Sequence, residues 1–76
     1  MSIREVEISD ESIRLGQFLK LAGLAEDGVR ARSLIEDGEV TVNGREELRR
    51  GKQLVHGDVV EVLVHGEKAR LVSRLG

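Results

Sequence analysis

Apolar positions recur with period two over residues 3–8, with a helical period from Leu15 to Ile35, and with period two again from Val40 onward. In IREVEI, Arg4, Val6 and Ile8 fall on one side and Ile3, Glu5 and Glu7 on the other, which predicts a half-buried strand at a sheet edge. The next stretch, SDESIRLGQFLKLAGL, opens with Ser9, Asp10 and Glu11, residue types suited to a helix N-terminus. Leu15, Phe18, Leu19 and Ala22 follow at helical spacing, so a first helix is predicted to end near Gly23. A second helix is predicted over 27–37, with Asp27 as cap, Ala31, Leu34 and Ile35 as apolar face, and Gly38 as the left-handed residue after its end. About four residues separate the two, which makes them a helical hairpin.

After Gly38, Val40 and Val42 point inward and Glu39 and Thr41 outward. Asn43-Gly44 is a strong hairpin signal, because a type I′ turn needs positive φ at both central positions. Arg45 begins the return leg, Leu54 and Val55 pack next, Gly57-Asp58 turns the chain, and VVEVLV at 59–64 reads as a nearly buried strand. His65-Gly66 leads into ARLVS at 69–73, a second hairpin. The expected architecture is α+β, a two-helix hairpin packed on a small antiparallel sheet of about four to five strands. With 76 residues and no proline, linker or repeat, a single domain over 1–76 is expected.

Composition narrows the function classes. A core of this size supplies on the order of 3–5 kcal/mol, so most apolar residues are committed to packing. There is no cysteine, hence no disulfide or thiolate metal site, and the charged start MSIREVEISD is unlike a signal sequence, so a soluble, cytoplasmic protein is expected, with no membrane association. Phe18 is the one aromatic residue among Phe, Tyr and Trp, which leaves no stacking platform for bases.

The formal net charge is −2, yet its distribution is uneven. Residues 1–27 carry three basic and six acidic side chains, 28–56 six and five, and 57–76 three and three. In the middle segment Arg30 and Arg32 lie in the first turns of the second helix, while Arg45, Arg49, Arg50 and Lys52 follow the Asn-Gly turn. If the hairpin folds back beside that helix start, six cations converge on one face, and net charge becomes a poor guide to local potential. Solubilising surface charge is the bland reading of such a cluster. Against it, Arg30 opposes the helix dipole unless an anion is close by.

Other chemistry is thinly supported. Gly51-Lys52 lacks the spacing of a phosphate loop, with Glu46 and Gln53 at the deciding positions. His56 and His65 are nine residues apart, each beside a glycine, and read as turn residues rather than metal ligands. Glu36-Asp37 and Glu46-Glu47 are adjacent acids whose side chains diverge. No catalytic residue, metal, cofactor or small-molecule substrate is expected, and the chain is not read as an enzyme.

IRLGQFLKLAGL, then ARSLIEDGEVTVNG, then GDVVEV, in that order and spacing, resembles the S4-like RNA-binding domain, also called the alpha-L RNA-binding motif. The resemblance covers about residues 12–64. Gly28 and the Glu47-x-Arg49-Arg50-Gly51-Lys52 run bring it nearest to the small stand-alone bacterial YbcJ-like type. It implies binding of structured RNA, ribosomal or transfer RNA, by the helical hairpin and the following β-hairpin, with ribosomal RNA or the ribosome as partner. Lys20, Arg30, Arg32, Asn43, Gly44, Arg45, Arg49, Arg50 and Lys52 fall on the implied RNA-binding surface, whereas Arg14 matches a family position that can serve structure. Many members carry an arginine early in helix two where this chain has Gly28.

The competing reading is a protein-interaction module in which the basic hairpin docks an acidic partner or pairs an exposed strand edge. The two separate in a titration of structured RNA with an Arg49→Glu/Arg50→Glu variant. An RNA binder loses affinity across sequences and its salt slope shrinks, whereas an edge-pairing adaptor barely responds.

Overall fold

The inward valines predicted for the strands form one continuous row in the computed structural model, which describes residues 3–75. The elements run β1 (Arg4–Ile8), β2 (Ser12–Arg14), α1 (Leu15–Leu21), α2 (Gly28–Glu36), β3 (Val40–Val42), β4 (Arg45–Glu46), β5 (Gln53–Val55), β6 (Val59–Val62) and β7 (Glu67–Ser73). Five strands make one sheet in the order β1-β7-β6-β3-β4, and β2 pairs with β5 in a separate antiparallel ribbon. Val40 lies opposite Val62, Val42 opposite Val60, and Val60 opposite Ala69, so the register sets these side chains on the same face. That face is closed by Leu15, Phe18 and Leu19 of α1 and Ala31, Leu34 and Ile35 of α2, all buried with the strand residues in one cluster. The α+β architecture is the one the periodicities predict.

The sheet is mixed, not wholly antiparallel: β1 runs parallel to β7, with Arg4 beside Ala69 and Ile8 beside Ser73. Alternation specifies which residues face inward and carries no information on strand direction. Direction here follows from the exit of the chain. The ends of β1 and β7 lie together, where the Arg74 N–H donates to the Ile8 carbonyl at 3.1 Å and the Ser73 hydroxyl to the Asp10 carbonyl at 2.7 Å. The edge position predicted for β1 is found. Its outer side chains are tied by ion pairs to β7 and the residue after it, Glu5 with Arg70 at 3.5 Å and Glu7 with Arg74 at 2.7 Å, and a charged edge of this kind resists pairing with other chains.

The start of α1 corrects the sequence reading. Ser9, Asp10 and Glu11 do not cap the helix; they lie in a bend, and Ser12–Arg14 continue as β2, opposite Val55, Leu54 and Gln53. The N-cap residue is Arg14, whose side chain makes no capping bond. The orphan amides of α1 are satisfied by backbone carbonyls from a distant loop: Leu15 N–H donates to Lys52 at 2.9 Å and Gly16 N–H to Arg50 at 3.0 Å. Leu54 is fully buried beneath this junction, while Val55, expected to pack, is half exposed.

The second helix follows its signals. The Asp27 carboxylate accepts the Arg30 N–H at 2.8 Å, and Gly38 ends the helix at φ +76°. Six residues, not about four, join the helices, because Leu24 and Ala25 turn back into the core and both their amides reach the Leu19 carbonyl. Asn43 and Gly44 adopt φ of 53° and 84°, as a type I′ turn requires. The strand read over 59–64 stops at Val62, and Leu63 and Val64 stand exposed in the turn before β7. Among the described residues no helix is long and apolar enough to cross a membrane.

Removing the buried side chain under the loop-to-helix junction is expected to be costly. Leu54→Ala should lower unfolding free energy by about 2–5 kcal/mol, read as a fall in the urea midpoint without a change of slope.

Candidate nucleic-acid interface

The carbonyl caps on α1 seat the loop at 49–52 against the first turn of the helix. The loop lies close to Gly16: a Cβ there would make ordinary contact, at 3.6 Å, with the Cβ and the carbonyl oxygen of Arg50. The first turn of α1, the start of α2 and the loop then enclose a shallow cleft of ≈ 320 Å³. Arg14, Lys20, Arg32 and Arg50 line it, with Gln17 and three glycines, Gly16, Gly28 and Gly51. Among the described residues no acid lines this cleft. Three guanidinium groups and one ammonium group around one concavity have the chemistry suited to phosphate oxygens, which planar guanidinium forks bind in pairs.

Each predicted residue has a definite place. Lys20, Arg32 and Arg50 share the cleft. Arg32 also donates to Glu36 at 2.9 Å one helical turn on, an exposed pair of the kind that contributes little and yields readily to a competing anion. Arg30 faces an adjoining depression with Lys20, Glu26, His65 and Glu67. The Asp27 carboxylate bonded to its backbone stands at the helix N-terminus and offsets the unfavourable placement of its charge. Arg45, Arg49 and Lys52 surround a third concavity that also holds Glu46, Glu47 and Asp58. The single face expected for six cations is thus divided, and its acid-free part is the α1/α2 cleft.

Asn43 and Gly44 serve the hairpin itself. The Asn43 amide oxygen accepts the Val59 N–H at 2.9 Å, and its NH2 donates to Asp58 at 3.0 Å. The Asp58 carboxylate also accepts the Val55 N–H at 2.9 Å, so Asn43 and Asp58 lock two turns together. His56 is likewise engaged, its Nδ1 accepting the Ser73 N–H at 3.0 Å. Arg14 is the cleft residue that sequence reasoning set aside as structural. Its position in β2, just before α1, turns it into the concavity, and only recognition of the β2–β5 ribbon would have shown this.

Residues 6–72 match the family model described as S4 domain. The chain belongs to the S4 domain family. Among curated proteins, the "Probable ribosome maturation protein RlbA" of Bacillus subtilis (strain 168) is 46% identical over 57 residues, 75% of this chain and 80% of that protein. An RNA-binding role goes with S4 membership. Where many S4 domains carry an arginine early in helix two, this one has Gly28 at the mouth of the cleft, and an added Cβ there would meet nothing within 4 Å. Its cations come from α1, β2, the second turn of α2 and the loop instead.

One acid of the loop is held unlike the others. Hydrogen bonding from the Arg49 guanidinium is the largest effect on the Glu47 carboxyl; burial opposes it, and the Arg49 N–H and the charges of Arg49 and Lys52 add to it, so that the carboxyl stays below its ordinary value of 4.5. The Arg49 pKa is raised in return. Because the folded value is the lower one, the stabilisation is present above the ordinary carboxylate pKa and lost as pH falls through the lowered folded value. A carboxyl-carbon NMR titration should place the Glu47 midpoint below 4.5, and Arg49→Met should move it upward.

Proposed function

We propose that this protein binds structured RNA, with ribosomal RNA as the substrate class, and acts by binding rather than by catalysis. The observation that carries the reading is the acid-free cleft of Arg14, Lys20, Arg32 and Arg50 in a chain of net charge −2. A protein with an acidic surplus has no electrostatic reason to gather four cations around one depression unless an anion occupies it. S4 membership supplies the nucleic acid, and the ribosome-maturation name of the Bacillus subtilis relative supports ribosomal RNA or a ribosomal particle as the partner.

Recognition is read as electrostatic and shape-based. Arginine forks take phosphate oxygens and release counterions, and with Phe18 wholly buried no aromatic ring is offered to unstacked bases. Helical or junction RNA therefore fits better than a single strand. Arg30, in the adjoining depression, and Arg45 and Lys52, in the third concavity, are read as secondary contacts, with Arg49 weaker because Glu47 balances its charge. A few phosphate contacts give affinities of roughly 10⁻⁴ to 10⁻⁶ M at physiological salt, so a ribosomal particle offering further contacts would hold the protein more tightly.

The test is a titration against a structured ribosomal RNA fragment and a matched DNA duplex at two salt concentrations, with Arg14→Ala, Arg50→Ala and Lys68→Ala alongside. Either cleft substitution should weaken RNA binding about tenfold and lower the salt slope by about one. Lys68, on the outer face of the sheet, should be neutral. Absence of RNA binding by the folded wild type at low salt would remove the reading and point to an acidic protein partner.

A further inference from the structure

Glu47 stands beside the cleft, in the concavity it shares with Glu46 and Asp58, close to the surface read as RNA-binding. It lies two residues before Arg49 and three before Arg50, where a negative charge weakens the attraction for phosphate. Unlike Glu36, which is 57% exposed in its pair with Arg32, the Glu47 side chain is only 13% exposed. Its Oε2 accepts both the Arg49 backbone N–H and Arg49 Nε at 3.0 Å, and its Oε1 accepts Arg49 Nη2 at 3.3 Å. The bond to the backbone N–H is the informative one, because it shapes the chain rather than screening a charge.

From that bond a series of main-chain links runs to the cleft. The Glu47 N–H donates to the Val40 carbonyl at 3.1 Å, which anchors the start of the loop to β3. Lys52 N–H returns to the Arg49 carbonyl at 3.2 Å and closes the turn, and the carbonyls of Arg50 and Lys52 then accept the first amides of α1. We propose that Glu47 is a positioning residue for RNA binding: its carboxylate folds the 47–52 loop so that Arg50 is presented to the cleft. The inference rests on the RNA-binding reading of the cleft and adds to it a residue of the opposite charge.

The sign of the effect separates this role from simple electrostatics. Glu47→Gln makes the protein more positive by one charge, so a residue that only screens Arg49 would bind RNA more tightly once replaced. As a positioning residue it gives the reverse, affinity for the structured ribosomal RNA fragment about tenfold weaker. Glu47→Asp should recover part of the loss, since an aspartate readily accepts the N–H two residues ahead. In Glu47→Gln, amide exchange should speed up at Arg49, Lys52 and Gly16 and stay unchanged at Val60 and Leu71. RNA binding as tight as wild type or tighter in Glu47→Gln would overturn the proposal, as would equal loss of protection in the core, which marks general unfolding. If wild type binds RNA and Glu47→Gln is unaffected, only the positioning role falls; if wild type does not bind, the functional reading falls with it.

Discussion

A helix must satisfy its first amides, and in α1 the carbonyls of Lys52 and Arg50 do so. A Ser, Thr, Asp or Asn side chain next door in sequence is the common N-cap partner. Here the partner lies more than thirty residues downstream, so forming the helix start and seating the loop are the same event. The β2–β5 ribbon extends the junction, pairing the residues just before the helix with those just after the loop. Leu54, in the middle of β5, is buried under it and joins the ribbon to the same core that the two helices and the sheet share. The cleft is the outer surface of this arrangement: its walls are α1, the start of α2 and the loop, held in place by backbone contacts.

The charge pattern follows from the same geometry. The acidic surplus of the first 27 residues looks opposed to RNA binding until its location is known. Glu5 and Glu7 are paired with Arg70 and Arg74 along the β1–β7 edge, and Glu67 sits near Arg4. That edge also carries the Arg4 guanidinium bonded to the Ala22 carbonyl at the end of α1. Some of the acids are thus engaged at an exposed strand edge, and none of the described acids lines the cleft. A chain can be acidic overall and still present a locally positive concavity, because screening confines each charge to its own neighbourhood.

Most of the fold was legible from local chemistry. Gly38 and Asn43-Gly44 mark positive-φ positions that few other residues accept, and Asp27 is a side chain suited to cap the next helix; the structure places all of them as the sequence pattern predicts. The valine alternation gave the inward face for the same reason. What escaped was long-range. Ser9, Asp10 and Glu11 have the chemistry of a cap and lost the position to two backbone carbonyls, which leave no signature in residue type. The direction of β1 was equally invisible. For the candidate site, basic residues on both sides of the hairpin were identifiable, but the division of their set among three concavities depends on how the loop folds. Arg14 was read as structural because its place in the cleft comes from the ribbon, a pairing between segments about forty residues apart.

Holding the loop by main-chain carbonyls has a consequence for how such a surface can change. The grip on α1 does not depend on which side chains Arg50 and Lys52 carry, so residues at those positions can be exchanged while the frame stays closed. At these two positions the peptide groups maintain the shape and the side chains are left open to retuning, whereas the loop's fold is proposed to lean on the Glu47 side chain. A scaffold built this way can drift from one RNA partner to another by point substitutions, without passing through an unfolded intermediate sequence.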